Sequence, residues 1–281
     1  MKQILVPTDF SQNALNAFHF ALQVADKLNA SITTLHTYVL RFITPSDTDL
    51  SALQDMIDHE VDIEFEQYKQ ETAKLHQFAE EKGLGHVSIT HELRKGFIAD
   101  EIEEVTKSLN IELVVMGTKG ASGLKEALLG SNTAAVLERV KCPVMVVPHK
   151  ANFSGINKVA YATNCDEHDE EIIPKVKAFA QLFGAEMRCV HVTFLDEAWD
   201  KRKLEEFEEL NNKMIETTGS KLDIMESDGV VEGLNQYIDQ NEISVIAMHT
   251  HKRNLLEKIF LSSYTHRMAY HTHVPLLSYC K

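Results

Sequence analysis

Cysteine is scarce in this chain and poorly spaced for crosslinking. The 281 residues hold four, Cys142, Cys165, Cys189 and Cys280, with no C-x-x-C among them. A disulfide framework is therefore not indicated, and reduced, mostly buried thiols are expected. Positive charge is also in deficit. With 28 Lys and Arg against 42 Asp and Glu, the formal net charge is −14, which excludes nucleic-acid binding through a broad basic surface. It does not exclude one anionic small molecule, because backbone N–H groups can bind phosphate without a basic patch. Long apolar runs are missing, and the longest candidates are short stretches such as 113–116, so no membrane span is expected. The opening Met1-Lys2-Gln3-Ile4-Leu5-Val6-Pro7 lacks the apolar region and cleavage site of a signal peptide. A cytoplasmic location is the expectation. Catalytic signatures are absent too, with no G-x-S-x-G elbow, no H-E-x-x-H and no nucleophile beside an evident base.

What the chain does have is an internal repeat. Its composition, 44% hydrophobic and 25% charged, is that of a soluble globular protein long enough for two domains. Residues 2–36 laid over 157–191 keep a constant offset of 155, which pairs Ala25 with Ala180, Ala30 with Ala185 and His36 with His191. A second block, 111–147 over 243–279, keeps an offset of 132 and pairs Ile111 with Ile243, Met116 with Met248, Thr118 with Thr250 and Pro143 with Pro275. Self-similarity on this scale means two copies of one domain, 1–150 and 151–281, with the middle of the second shortened.

Each copy alternates strand and helix. In the first, strands are expected over 4–8, 32–39, 87–93, 112–116 and 143–147, as short apolar runs bounded by turns. Ser11 is a cap for a helix whose apolar positions, Ala14, Leu15, Phe18, Leu22 and Ala25, recur at helical spacing. Further helices are expected over 98–108 and 132–140, with a long acidic amphipathic stretch over 50–81. The fold class is α/β: two tandem copies of an open, five-stranded parallel sheet with helices on both faces, Rossmann-like. Ligands of such sheets bind at the carboxyl ends of the strands, at the switch point.

The chemistry is concentrated between the fourth strand and the following helix. There Met116-Gly117-Thr118-Lys119-Gly120 leads, through a loop, to Gly130-Ser131-Asn132-Thr133. Glycines allow positive φ and close approach of backbone amides to an anion. Ser131, Asn132 and Thr133 open a helix, whose unsatisfied N–H groups and dipole favour phosphate. A P-loop is ruled out because no G-x-x-x-x-G-K-[ST] occurs. A dinucleotide fingerprint is ruled out by position and spacing, since it should follow the first strand.

G-x-x-G, nine residues, then G-[ST] does fit, at Gly117, Gly120, Gly130 and Ser131. With Val6-Pro7-Thr8-Asp9-x-Ser11, Leu35-His36 and Cys142-Pro143-Val144, it resembles the universal stress protein family, as a tandem member. That resemblance implies ATP, with Mg2+, bound in the first copy. It places Asp9, beside Pro7 and Thr8, at the adenosine end and Thr37 at the adenine. Met116 and Gly117 would present backbone to ribose and phosphates, and Lys119, Gly120, Gly130, Ser131, Asn132 and Thr133 would cradle the phosphates. Asp9 read alone is equally a turn or helix-cap carboxylate, and the glycines alone are loop punctuation. The family's single-domain members pair through the last strand, so an internal pseudo-dimer is implied, while pairing of whole chains into a homodimer stays open.

The second copy replaces these positions. Asp9 becomes Asn164, Gly117 becomes His249, Gly120 becomes Lys252 and Gly130 becomes Ser262, while Ser131 is kept as Ser263. Its strands should persist and its nucleotide site should not. The pairs His249/His251 and His271/His273 fall at opposite ends of a parallel sheet in this register, which argues against a metal site. His36 and His191 read as core or strand-end packing, and the acidic run 205–209 as a solvated helix face. The reading that results is an ATP-binding regulatory or stress-response module with no catalytic residues. A slow ATP hydrolase or adenylyl-transfer enzyme, and a structural pseudo-dimer with a vestigial pocket, are the alternatives left open.

Overall fold

A computed structural model of the chain describes residues 2–39, 50–118, 131–165, 168–193, 201–219, 221–250, 267–268 and 272–280. The first half runs β1 (Gln3–Pro7), α1 (Gln12–Leu28), β2 (Ser31–Tyr38), α2 (Leu50–Glu81), β3 (Ile89–Lys95), α3 (Ile98–Ser108), β4 (Leu113–Gly117), α4 (Ser131–Arg139) and β5 (Val144–Val147). The second repeats the order with β6 (Lys158–Ala162), α5 (Asp169–Leu182), β7 (Glu186–Thr193), α6 (Lys201–Thr218), β8 (Leu222–Glu226), α7 (Val230–Asn241), β9 (Val245–Thr250) and β10 (Leu276–Cys280).

Local chemistry sets these elements. Ile4, Leu5 and Val6 are wholly buried, as a strand covered on both faces requires. The Ser11 hydroxyl caps α1 by accepting from the Ala14 amide at 3.3 Å, and Asn29 ends the helix in the left-handed conformation at φ 48°, a role its short polar side chain suits. The third strand departs from its expected 87–93. Val87 instead turns beneath the end of α2, donating its N–H to the Leu84 carbonyl, and β3 continues to Lys95 opposite Tyr38.

The strands form one sheet in the order β3-β2-β1-β4-β5-β10-β9-β6-β7-β8. Every neighbouring pair is parallel except β5 and β10, which run antiparallel with Val146 opposite Leu276 and Met145 opposite Leu277. Each is the apolar edge of its own half, and each covers the other, which removes an edge prone to unwanted pairing. One apolar layer packs α1, α2, α5 and α6 on residues such as Ile4, Val6, Val159 and Tyr161. The other packs α3, α4 and α7 on Leu5, Val114, Ala160 and Ile246. Because the join is antiparallel, the carboxyl ends of the strands in the two halves open at opposite ends of the sheet. Among the described residues, no helix is long and apolar enough to cross a membrane.

Candidate functional site

In the first half the strand order reverses between β1 and β4, which are neighbours in the sheet but not in the chain. Pro7, Thr8 and Asp9 leave the end of β1 there. Thr8 is held by three bonds. Its N–H donates to Leu35 O at 2.8 Å, its hydroxyl accepts from Phe10 N–H at 3.0 Å, and its carbonyl accepts from His36 Nδ1 at 2.8 Å. Phe10 takes φ 58° to complete the turn, a cost that such a bond network can sustain. Asp9 is exposed, and its Oδ1 accepts from Ser11 N–H at 3.1 Å. The turn-carboxylate geometry therefore exists, and it fixes the Asp9 carboxylate at the crest.

Beside it, Met116 is buried and Gly117 ends β4. A Cβ at Gly117 would lie 3.1 Å from the Asn13 carbonyl oxygen, so the start of α1 packs against bare backbone. The buried Thr133 hydroxyl donates to Gly117 O at 3.0 Å, which ties the first turn of α4 to the end of β4. Ser131 and Asn132 in that turn are exposed. Lys119, Gly120 and Gly130 lie outside the described residues. The structure thus gathers Pro7, Thr8, Asp9, Met116, Gly117, Ser131, Asn132 and Thr133 around the switch point. Thr37 stands one strand away, near the end of β2.

Sequence reading did not place α2 in this neighbourhood. Glu64 Oε1 comes within 3.4 Å of His36 Nε2, Tyr68 stacks on the His36 ring at 6.2 Å, and Phe10 lies 4.8 Å from it between ring centroids. The Tyr68 hydroxyl is buried without a hydrogen-bond partner among the described residues, and burial together with nearby Glu92 pushes its pKa up to about 12. Phe10, Glu64 and Tyr68 carried no sequence signal, because their contacts join positions dozens of residues apart.

The second crest keeps the turn and changes what stands over it. Thr163 N–H donates to Val190 O at 3.0 Å. Its hydroxyl accepts from Cys165 N–H at 2.8 Å and its carbonyl from His191 Nδ1 at 2.9 Å. Cys165 has φ 60°. In place of Val6 and Ala14, however, stand Tyr161 and Asp169. The Asp169 carboxylate, 2% exposed, accepts from the Tyr161 hydroxyl at 2.7 Å and from the Thr163 hydroxyl. In place of Asn13 and Gly117 stand His168 and His249, whose rings meet at 4.9 Å. An imidazole pair fills the corner that is bare backbone in the first half. Burial, with Asp169 nearby, also pushes the Cys189 thiol up to about 12. His251, Lys252, Arg253, Ser262, Ser263 and His271 lie outside the described residues. His249 is the penultimate residue of β9 whereas His273 precedes the parallel β10, where it faces Asp239 at 3.0 Å.

Two Rossmann-like α/β units in tandem, one with Gly117 at the end of its fourth strand and one with His249 packed on His168 at the matching place, define the class. The chain belongs to the universal stress protein family, whose profile matches it twice, over residues 1–148 and 155–279. A universal stress protein of Methanocaldococcus jannaschii is 31% identical over 148 residues, spanning 52% of this chain and 81% of that protein. One from Synechocystis is 22% identical over 295 residues and spans 99% of this chain and all of its own. The crystal structure of a universal stress protein from Archaeoglobus fulgidus superposes with a TM-score of 0.73 at 21% identity, over 99% of this chain and 96% of that one. The tandem fold is therefore shared along the whole length.

Proposed function

We propose that the protein is an ATP-binding regulatory module of the stress response, holding one nucleotide, with Mg2+, in residues 1–150 and none in residues 151–281. The observation that carries this reading is the contrast between Gly117, where a Cβ would already press on Asn13 O at 3.1 Å, and His249, whose ring packs on His168. In the first half Asp9, Pro7 and Thr8 take the adenosine end, and Thr37 lines the adenine. Backbone at Met116 and Gly117 faces ribose and phosphates. The amides opening α4 at Ser131 and Asn132, with Gly120, Gly130 and Lys119 from the loop, hold the phosphates. Thr133 acts indirectly, by holding Gly117 to α4. The antiparallel pairing of β5 with β10 supports reading the two halves as an internal pseudo-dimer. A cytoplasmic location belongs to the same reading.

Mass spectrometry of freshly purified protein, denatured to release its ligand, tests the proposal. Co-purifying ATP at up to one per chain is the expected result. ADP or AMP in its place would favour a slow hydrolase, and two nucleotides per chain would overturn the assignment of a single site.

A further inference from the structure

From α2 and β3, well below the crest, two histidines reach toward each other. His76 Nε2 and His91 Nε2 stand 2.9 Å apart with their rings at 88°. The other nitrogen of His91, Nδ1, lies 2.6 Å from the hydroxyl of Thr34, which is 1% exposed on the neighbouring strand β2. His76 is exposed and His91 half-buried. We infer that His76 and His91 form a divalent transition-metal site that clamps α2 to the outer strand of the sheet.

The distance identifies the class of metal. Metal–imidazole bonds of about 2.0–2.1 Å to nitrogens this close subtend about 90°, the cis angle of a tetragonal or octahedral ion. A tetrahedral ion needs the nitrogens about 3.3–3.4 Å apart. The pair therefore suits Ni2+ or Cu2+ better than Zn2+. Thr34 supplies the outer contact that imidazole ligands use, accepting Nδ1–H and turning the Nε2 lone pair of His91 outward. Without metal, His76 Nε2–H donates to that lone pair. With metal, the solvent-exposed His76 moves its proton to Nδ1, so both Nε2 atoms bind the ion with no net proton released. Among the described residues no third His, Cys, Asp or Glu converges here, so water completes the shell on the solvent side.

The site is private to the first half. The positions matching Thr34 and His91 are Cys189 and Leu222, buried opposite each other and packed with Met214. The same helix α2 carries Glu64 and Tyr68 to His36 at the crest, so a metal clamp would stiffen the flank of that crevice.

Calorimetric titration of Ni2+ into the nucleotide-free, full-length protein tests the inference, with His76→Gln as the variant because an exposed residue can be changed without disturbing the core. The wild type should bind one Ni2+ in a step that His76→Gln weakens at least about tenfold. Ni2+ should also raise the unfolding temperature of the wild type more than that of the variant, since the clamp exists only in the folded state. No Ni2+ binding by the wild type would reduce the pair to a hydrogen bond and overturn the inference. Equal affinity and stoichiometry in a folded His76→Gln protein would overturn it as well, and Zn2+ binding more tightly than Ni2+ would overturn the tetragonal assignment.

Discussion

Thr8 and Thr163 sit in the same web of three hydrogen bonds, yet Gly117 stands beside one and His249 beside the other. The bonds that shape the strand-end turn need only backbone, a threonine hydroxyl and one histidine, and both halves keep them. The features fit for a ligand are separate, consisting of bare backbone at the end of β4, the exposed start of α4 and an exposed carboxylate after β1. The second half has exchanged bare backbone for the His168–His249 contact and has gained a buried Asp169–Tyr161 pair. On the proposed function, fold and site are carried by different residues of one motif, so one could be lost while the other persists.

The comparison can be broken most severely at the seam that holds the halves together. Leu277, fully buried opposite Met145, becomes an unpaired buried charge in Leu277→Asp, which should cost about 4 kcal/mol or more in denaturant unfolding. A loss below about 1 kcal/mol would mean that the seam contributes little. Next in size is the exchange of one corner for the other. Gly117→His should lower ATP affinity at least about 100-fold, near 2.7 kcal/mol, in a chain that remains folded. Equilibrium fluorescence titration with a nucleotide analogue reads this directly.

Smaller effects sharpen the contrast. Tyr161→Phe removes the Tyr161 hydroxyl donor to the buried Asp169 and should cost about 1–3 kcal/mol. A neutral outcome in urea unfolding would show that this pair is no part of what replaced the site. The smallest effect should be the shared one. His36→Ala and His191→Ala each delete the bond to the preceding threonine carbonyl, and each should cost about 1 kcal/mol. Thermal scans giving a large loss for one and none for the other would show that the two turns are not equivalent.

Much of this was legible in the sequence because it depends on local period and on recurrence. The helix expected over 98–108 spans those residues, and its apolar positions, Ala99, Ile102 and Val105, are buried. The match of His36 to His191 points to core or strand-end packing, and the structure adds a bond from each side chain to a threonine carbonyl. In the acidic run, Glu205, Glu208 and Glu209 are exposed while Phe207 packs on the core. The limits of β3 were less legible, because Thr90, Glu92 and Arg94 make an outer strand polar while buried Val87 belongs to a turn. Tertiary pairs could not be read at all. Asp169 looks like an ordinary acidic residue in a first helical turn until Tyr161 is placed beneath it, and nothing in the spacing of His76 and His91 announces their meeting.

The central claim is that one half of the chain binds nucleotide and its twin does not. Calorimetric titration of ATP and Mg2+ into nucleotide-free, full-length protein measures this as a stoichiometry. The account predicts one site per chain in the wild type and none in Gly117→His. Two sites per chain, or a single site that survives Gly117→His unchanged, would contradict it.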